Sequence, residues 1–379
     1  MTEYVPGNFM WSQGVMFAME MMSFGGAAAG EVLGVVERLA RREPENRAWW
    51  EEWSAEAERL ERWGDSEAAA GHDLTAGSLY LRAATYYFCG ERFLPPGEEK
   101  RATYERVLRC FSRGAAARYP NLERVEVPYE GTTLPAYYLR SERAGTQPAP
   151  AMVVFDGLDN AKELSVLFAG VELARRGIHT LAIDGPGQGE TLRLRGIPSR
   201  YDYEVPGTAA FEYVAARSDV DPGRVGVMGF SLGGYYAPRA ATFEKRYALC
   251  VAWGGHFDYH EAWTQRRRRI ESHDSRVSAP AFQLPWVLGV DDMDGAMRVL
   301  EDFRLDGVVQ QLDRPLLVTH GEDDTVVPLR FARRLYEAAG SAVKELRVFT
   351  AAEGGNEHCQ EDNRQIGANF VADWVADHI

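Results

Sequence analysis

Val225 to Ala241 reads VGVMGFSLGGYYAPRAA. Strand-like residues at 225–229 run into Phe230-Ser231-Leu232-Gly233-Gly234, and a segment of helical composition follows. Gly229-Phe230-Ser231-Leu232-Gly233 is therefore a G-x-S-x-G sequence set between a strand and a helix, the context in which this spacing forms a nucleophile elbow. A serine at so tight a turn takes a strained backbone conformation. The flanking glycines omit the Cβ atoms that would collide where strand and helix cross. Ser231 Oγ is expected above the carboxyl edge of a sheet, with the Leu232 N–H, at the first turn of the new helix, aimed at any oxyanion formed there.

Outward from the elbow, strand and helix alternate. Helical patterns at 163–176, 208–217 and 234–245 separate strand patterns at 151–155, 180–184 and 247–253. A strand at 315–319, a helix at 329–338, a strand at 344–349 and a last helix at 359–378 complete the series. Such alternation specifies an α/β sheet with right-handed crossovers. The run Ala151-Met152-Val153-Val154-Phe155 is short and apolar enough to be a central parallel strand. Before it, 125–128 and 134–139, joined by Tyr129-Glu130-Gly131-Thr132-Thr133, read as a hairpin. From 256 to 307 the alternation lapses into a Trp-, Arg- and Asp-rich stretch of weak helical pattern, read as an inserted lid.

The N-terminal third has the helical period instead. Trp49, Trp50, Trp53, Ala57 and Leu60 form an apolar stripe among Glu51, Glu52, Glu56, Glu58 and Glu61. Tyr80, Tyr86, Tyr87 and Phe88 on the next helix are core by default, and Tyr80 is carried as a candidate substrate contact. The expected division is a helical N-terminal domain at 1–120, a sheet core in two parts at 121–255 and 308–379, and the lid at 256–307. The Met- and Gly-rich segment 14–36 is interrupted by Glu20 and Glu31, too short and charged to span a bilayer, and reads as a helix buried against the rest of the protein or lining a pocket.

A chain of 379 residues, 45% hydrophobic, has material for a large core and an accessory layer. Its net charge of -14 argues against nucleic acid or an anionic membrane surface as partner, since both need a positive face. Arg266-Arg267-Arg268-Arg269 reads as a solvated helix face beside Glu261 and Glu271. Cys89, Cys110, Cys250 and Cys359 lie far apart with no C-x-x-C spacing, and the basic start of a signal peptide is missing. A cytoplasmic location with free thiols is expected.

A serine hydroxyl needs a histidine to take its proton and a carboxylate to fix the imidazole tautomer. In this architecture the chain order is Ser, acid, His, each on a loop at the carboxyl end of a strand. His358 falls on the last strand-to-helix loop. Asp324 fits the acid, by its spacing from His320-Gly321 and Val327-Pro328, with Asp323 and Glu322 as alternatives. His320 reads as an anchor of that loop. The second oxyanion donor is expected from Asp156-Gly157-Leu158-Asp159-Asn160, where Gly157 lets the Leu158 N–H converge with that of Leu232. Two roles stand open for Asp159: positioning a polar substrate group, or capping the next helix with Asn160 and Glu163. His256, Asp258 and His260 lack a third well-spaced ligand, so no metal is expected, and His256 is taken as a candidate substrate contact. Asp184-Gly185-Pro186-Gly187-Gln188-Gly189-Glu190 lacks nucleotide-loop spacing and reads as a structural turn beside the site.

Four motifs together carry a resemblance: Asp156 to Glu163 (DGLDNAKE), Asp184 to Glu190 (DGPGQGE), Gly229 to Gly234 (GFSLGG) and Ala76 to Tyr87 (AGSLYLRAATYY). In these the chain resembles the dihydroxypseudooxynicotine hydrolase group of α/β-hydrolases, which includes fungal hydrolases that shorten polyketide chains. The resemblance implies the α/β-hydrolase fold with a mostly parallel eight-stranded sheet, a helical N-terminal region over the site, a Ser-His-Asp triad, no cofactor, and a homodimer. It also implies cleavage of a carbon–carbon bond beside a carbonyl and an acidic residue at the position of Asp159 that helps to place substrate. The expected function is hydrolysis of a 1,3-dicarbonyl or acyl-aromatic small molecule. The same machinery would serve an esterase, a thioesterase, or an elimination or cyclisation, because fold and triad do not set the leaving group. A non-catalytic binding protein on a hydrolase shell is the alternative of a different class.

Overall fold

Strand β3 (Ala149–Phe155) is buried at every position, as its unbroken apolar run requires, and it lies at the middle of the sheet. The other strands are β1 (Leu122–Tyr129), β2 (Thr132–Leu139), β4 (His179–Ile183), β5 (Val220–Phe230), β6 (Cys250–Trp253), β7 (Leu316–Gly321) and β8 (Lys344–Phe349). In this computed structural model, which describes residues 3–271 and 279–379, the order is β1-β2-β4-β3-β5-β6-β7-β8. β2 runs antiparallel to β4, and every pairing from β4 across to β8 is parallel. The sheet is that of an α/β-hydrolase. Its chain order reverses between β3 and β5, and in open α/β sheets the carboxyl ends of the strands at such a reversal are where ligands bind. Phe155 is registered with Gly229, and Phe230 with Trp253, which brings the ends of three strands level beside Ser231.

Packing divides the chain into two units. One holds the described residues up to 122 with those of 268–283; the other holds 123–267 and 284–379. The first unit contains α1 (Phe9–Glu20), α2 (Ala29–Leu39), α3 (Asn46–Ala69), α4 (Asp73–Glu91) and α5 (Glu98–Arg118). Its centre is aromatic: Trp49, fully buried, packs 5.7 Å from Trp11, 5.4 Å from Trp53 and 4.9 Å from Phe93, and its indole N–H donates to the Cys89 carbonyl at 2.7 Å. Segment 14–36 is not one helix. Gly25 takes a left-handed φ of 75°, which ends the turn Met21–Phe24 and sends the chain into α2.

Around the sheet, α6 (Lys162–Ser165) continues through a π turn, Val166–Gly170, into α7 (Val171–Ala174). Then come α8 (Gly189–Arg193), α9 (Glu204–Ala215), α10 (Gly233–Phe243), α11 (Tyr259–Glu271), α12 (Gln283–Leu288), α13 (Met293–Leu300), α14 (Leu329–Ala338) and α15 (Arg364–His378). The stretch 256–307, expected as a lid, carries three of these helices, and its residues 272–278 lie outside the described residues. Phe257, Trp263, Leu284, Leu300 and Phe303 from it join the apolar cluster that contains Val153, Val227 and Val318 of the sheet. The last helix begins at Arg364 rather than 359, because Cys359 and Gln360 are both left-handed and cannot continue a right-handed helix.

Candidate active site

The elbow forms because the chain passes from extended to helical in two residues. Ser231 sits between β5 and α10 with φ 55°, a left-handed conformation that costs a non-glycine residue roughly 1–2 kcal/mol. It is held by its N–H, donated to the Trp253 carbonyl at 2.8 Å, and by its own carbonyl, which accepts from Gly234 N–H at 2.7 Å. A Cβ on Gly229 would strike the Gly233 carbonyl, so strand and helix can cross this closely only without one. Among the described residues the Leu232 N–H has no acceptor, which leaves it available at the head of α10.

Three side chains from three strand ends meet here. His358 Nε2 stands 2.8 Å from Ser231 Oγ, and His358 Nδ1 stands 2.7 Å from Asp324 Oδ2. The second oxygen of Asp324 accepts the N–H groups of Val326 at 2.8 Å and Val327 at 2.7 Å, so the carboxylate cannot swing away. His320 Nε2 donates to the Val327 carbonyl at 2.7 Å and closes the same loop. Asp323 and Glu322 are engaged elsewhere, by Asn356 Nδ2 and the Ala351 N–H. Burial disfavours charge on both members of the buried pair, but their mutual attraction outweighs it. The Asp324 carboxyl is held below the ordinary carboxylate range and the His358 imidazolium well above the ordinary histidine value.

The loop after β3 rests on the elbow. A Cβ on Gly157 would stand 2.9 Å from Ser231 Cβ and 3.5 Å from the Leu232 nitrogen, so only glycine lets the loop approach this closely. Leu158 follows it, 8% exposed. The loop is braced from behind by a buried cluster of ionisable groups, of which only the cation, Lys162, had no role in the sequence reading. Asp156, fully buried, accepts from Asn160 Nδ2 at 2.7 Å and Ser165 Oγ at 2.9 Å. Lys162 Nζ, also fully buried, lies 2.6 Å from Glu163, 2.8 Å from Asp184 and 3.0 Å from Glu190. Burial, with the Asp184 charge nearby, pushes the Asp156 carboxyl up to about 8. The turn Asp184 to Glu190 is the scaffold of this cluster: Asp184 accepts the N–H groups of Lys162 and Glu190, and Gln188 Nε2 donates to the Asp156 carbonyl.

Of the remaining candidates, His256 is 2% exposed, packs edge-on to Tyr259 at 4.8 Å, and its buried Nδ1 has no partner among the described residues. Burial, then the nearby His358 charge, pushes its imidazolium down to about 3, so the ring is neutral at working pH. Asp159 is half-buried. Tyr80 is committed within the helical unit: its hydroxyl donates to Asp65 at 2.9 Å, and the Arg113 guanidinium lies 3.8 Å over its ring. Cys359 Sγ lies 3.7 Å from His358 Nε2, and its S–H donates to the Trp253 carbonyl at 3.4 Å. No described helix is long and apolar enough to cross a membrane.

Residues 171–379 match the model of the prolyl oligopeptidase family, and residues 44–270 match that of the esterase FrsA-like family. The chain is 29% identical to the 2,6-dihydropseudooxynicotine hydrolase of Paenarthrobacter nicotinovorans, over 94% of this chain and 92% of that protein. It is 29% identical to the hydrolase acrC of Aspergillus aculeatus, over 87% of each. The crystal structure of the 2,6-dihydroxy-pseudo-oxynicotine hydrolase superposes with a TM-score of 0.77 at 26% identity, covering 95% of both chains.

Proposed function

The chain belongs to the prolyl oligopeptidase and esterase FrsA-like families of α/β-hydrolases and is a hydrolase, and on that premise we propose that it cleaves a carbon–carbon bond of a 1,3-dicarbonyl or acyl-aromatic substrate through an acyl-enzyme on Ser231. The observation that carries this is the unbroken line Ser231 Oγ, His358, Asp324, at 2.8 and 2.7 Å. Ser231 Oγ attacks the carbonyl carbon while its proton passes to His358 Nε2, and the N–H groups of Leu158 and Leu232 receive the oxyanion. Collapse breaks the carbon–carbon bond, and the carbon that departs with the electron pair, an enolate carbon or a ring carbon, takes the proton from His358. Water, deprotonated by the same nitrogen, then attacks the acyl-enzyme; a carboxylic acid leaves and Ser231 recovers its proton. One water is consumed, and one acid is formed together with a ketone from a 1,3-diketone or the ring-protonated arene from an acyl-aromatic. Asp324 holds the imidazole tautomer and steadies the imidazolium throughout.

His256 and Asp159 are proposed as substrate contacts, the neutral ring of the first offering a hydrogen bond without a charge. Support for the substrate class comes from the named relatives. The esterase FrsA-like match favours a second reading, ester hydrolysis by the same residues. Homodimeric assembly, implied by the family, and a cytoplasmic setting, suited to four buried free thiols, belong to the same proposal. A fluorophosphonate should label the wild type and not Ser231→Ala; a folded wild type that takes no label ends the proposal. Incubation with a 1,3-diketone and with matched esters then separates the readings, since turnover of esters alone removes carbon–carbon cleavage.

A further inference from the structure

We infer that Gln360 and Trp253 are positioning residues that hold the His358 imidazole over Ser231, an inference that rests on the serine-hydrolase reading above. The starting observation is local strain. Cys359 (φ 48°, ψ 25°) and Gln360 (φ 60°, ψ 33°) are consecutive non-glycine residues in the left-handed region, immediately after His358. Two such residues in succession persist only where the surroundings over-determine them, and such outliers gather at functional sites.

The surroundings here are specific. The Trp253 indole N–H is shared between Gln360 Oε1 at 2.6 Å and the Cys359 carbonyl at 3.1 Å, and Arg364 Nη1 donates to that same carbonyl. Trp253 is 1% exposed and Gln360 is fully buried. Gly367 makes the room: a Cβ there would stand 2.7 Å from the indole and 2.9 Å from Gln360 Oε1. An indole can only donate, so the Gln360 atom facing it is the oxygen. The Gln360 amide nitrogen is buried with no partner among the described residues, a cost that an apolar side chain would avoid. The residue is therefore held for its oxygen.

Trp253 also serves the nucleophile. Its backbone carbonyl accepts the Ser231 N–H at 2.8 Å, the bond that helps to keep Ser231 in its own left-handed conformation. One residue at the end of β6 thus ties the base loop through its side chain and the elbow through its main chain. Without the indole bond the turn at 359–360 is free to relax toward the right-handed region, carrying the imbalance to the adjacent His358.

The test is the rate and end-point of fluorophosphonate labelling, measured as a function of pH, in full-length Trp253→Phe, Gln360→Leu and the double variant. Loss of positioning predicts a full end-point reached roughly 10- to 100-fold more slowly, since a small misplacement of a reacting group costs about that much. The double variant should be no slower than the slower single one, because both remove the same contact. Gln360→Glu, which keeps an acceptor oxygen, should restore a large part of the rate lost in Gln360→Leu. Should Gln360→Leu not fold, Gln360→Met puts the same question with an unbranched chain. Labelling at the wild-type rate in either folded single variant, or additive losses in the double, overturns the inference while leaving Ser231 as nucleophile. A wild type that takes no label removes both.

Discussion

Ser231 is partly open to solvent while the two groups in line with it are shut away, His358 at 7% and Asp324 at 8% exposure. Their 2.7 Å contact makes the buried pair respond to pH as a unit. On the proposed mechanism His358 must be neutral to accept the Ser231 proton, and the Asp324 charge raises its proton affinity, so activity should rise with pH through a limb above the ordinary histidine value. Asp324→Asn should lower kcat by about 10³ to 10⁴ and move what remains of the limb toward acid, measured as the pH profile of kcat/KM. His256 behaves otherwise. Its ring is already neutral, so His256→Ala should leave the limb in place and raise KM by roughly tenfold, the equivalent of one hydrogen bond. Ser231, Asp324 and His358 could be picked from the sequence because each follows a strand in the expected order, and the structure brings their side chains within hydrogen-bonding distance. The Gln360 and Trp253 contact could not, since 107 residues separate its partners and neither belongs to a motif.

Among the elements, the loop after β3 shows what periodicity conveys and what it omits. Its glycine could be read as a point of close approach, and the turn Asp184 to Glu190 as a structural support. That Lys162 would be buried among Glu163, Asp184 and Glu190 could not be read, because the Asp184 and Glu190 bonds span 22 and 28 residues and a DNAKE sequence looks like a solvated helix start. Lys162→Met takes this cation from Asp184 and Glu163 in a dry site, while Glu190 keeps Arg124. It should destabilise the fold by about 3–5 kcal/mol, read as a lower urea midpoint, and slow labelling of Ser231 by loosening the loop beneath it. The helix boundary at Arg364 was missed for a related reason. Nothing in Cys359-Gln360 announces a left-handed pair, a conformation imposed by Trp253 and Arg364 rather than by local preference.

For the molecule as a whole, each unit has its own source of stability. In the helical unit Trp49→Ala removes the centre of an aromatic cluster and a buried hydrogen bond, and should cost about 3–5 kcal/mol in a denaturant titration. In the sheet unit Asp156 adds a pH dependence whose sign is set by its raised value. The folded state holds this proton more tightly than the unfolded chain does. Its contribution is therefore complete below the ordinary carboxylate pKa and is lost as pH rises through about 8. Asp156→Asn should flatten the stability curve over that window; an unchanged slope would show that the carboxyl is ionised in the folded protein. Alternation of strand and helix, the elbow and the order of Ser, acid and His were determined by the sequence itself, because each depends on residues close together in the chain or on the sequential order of strand ends. The buried charges behind the loop after β3, the strain after His358 and the neutrality of His256 were decided only by tertiary structure. They arise from desolvation and from contacts between distant segments, and neither has a period or a spacing to read.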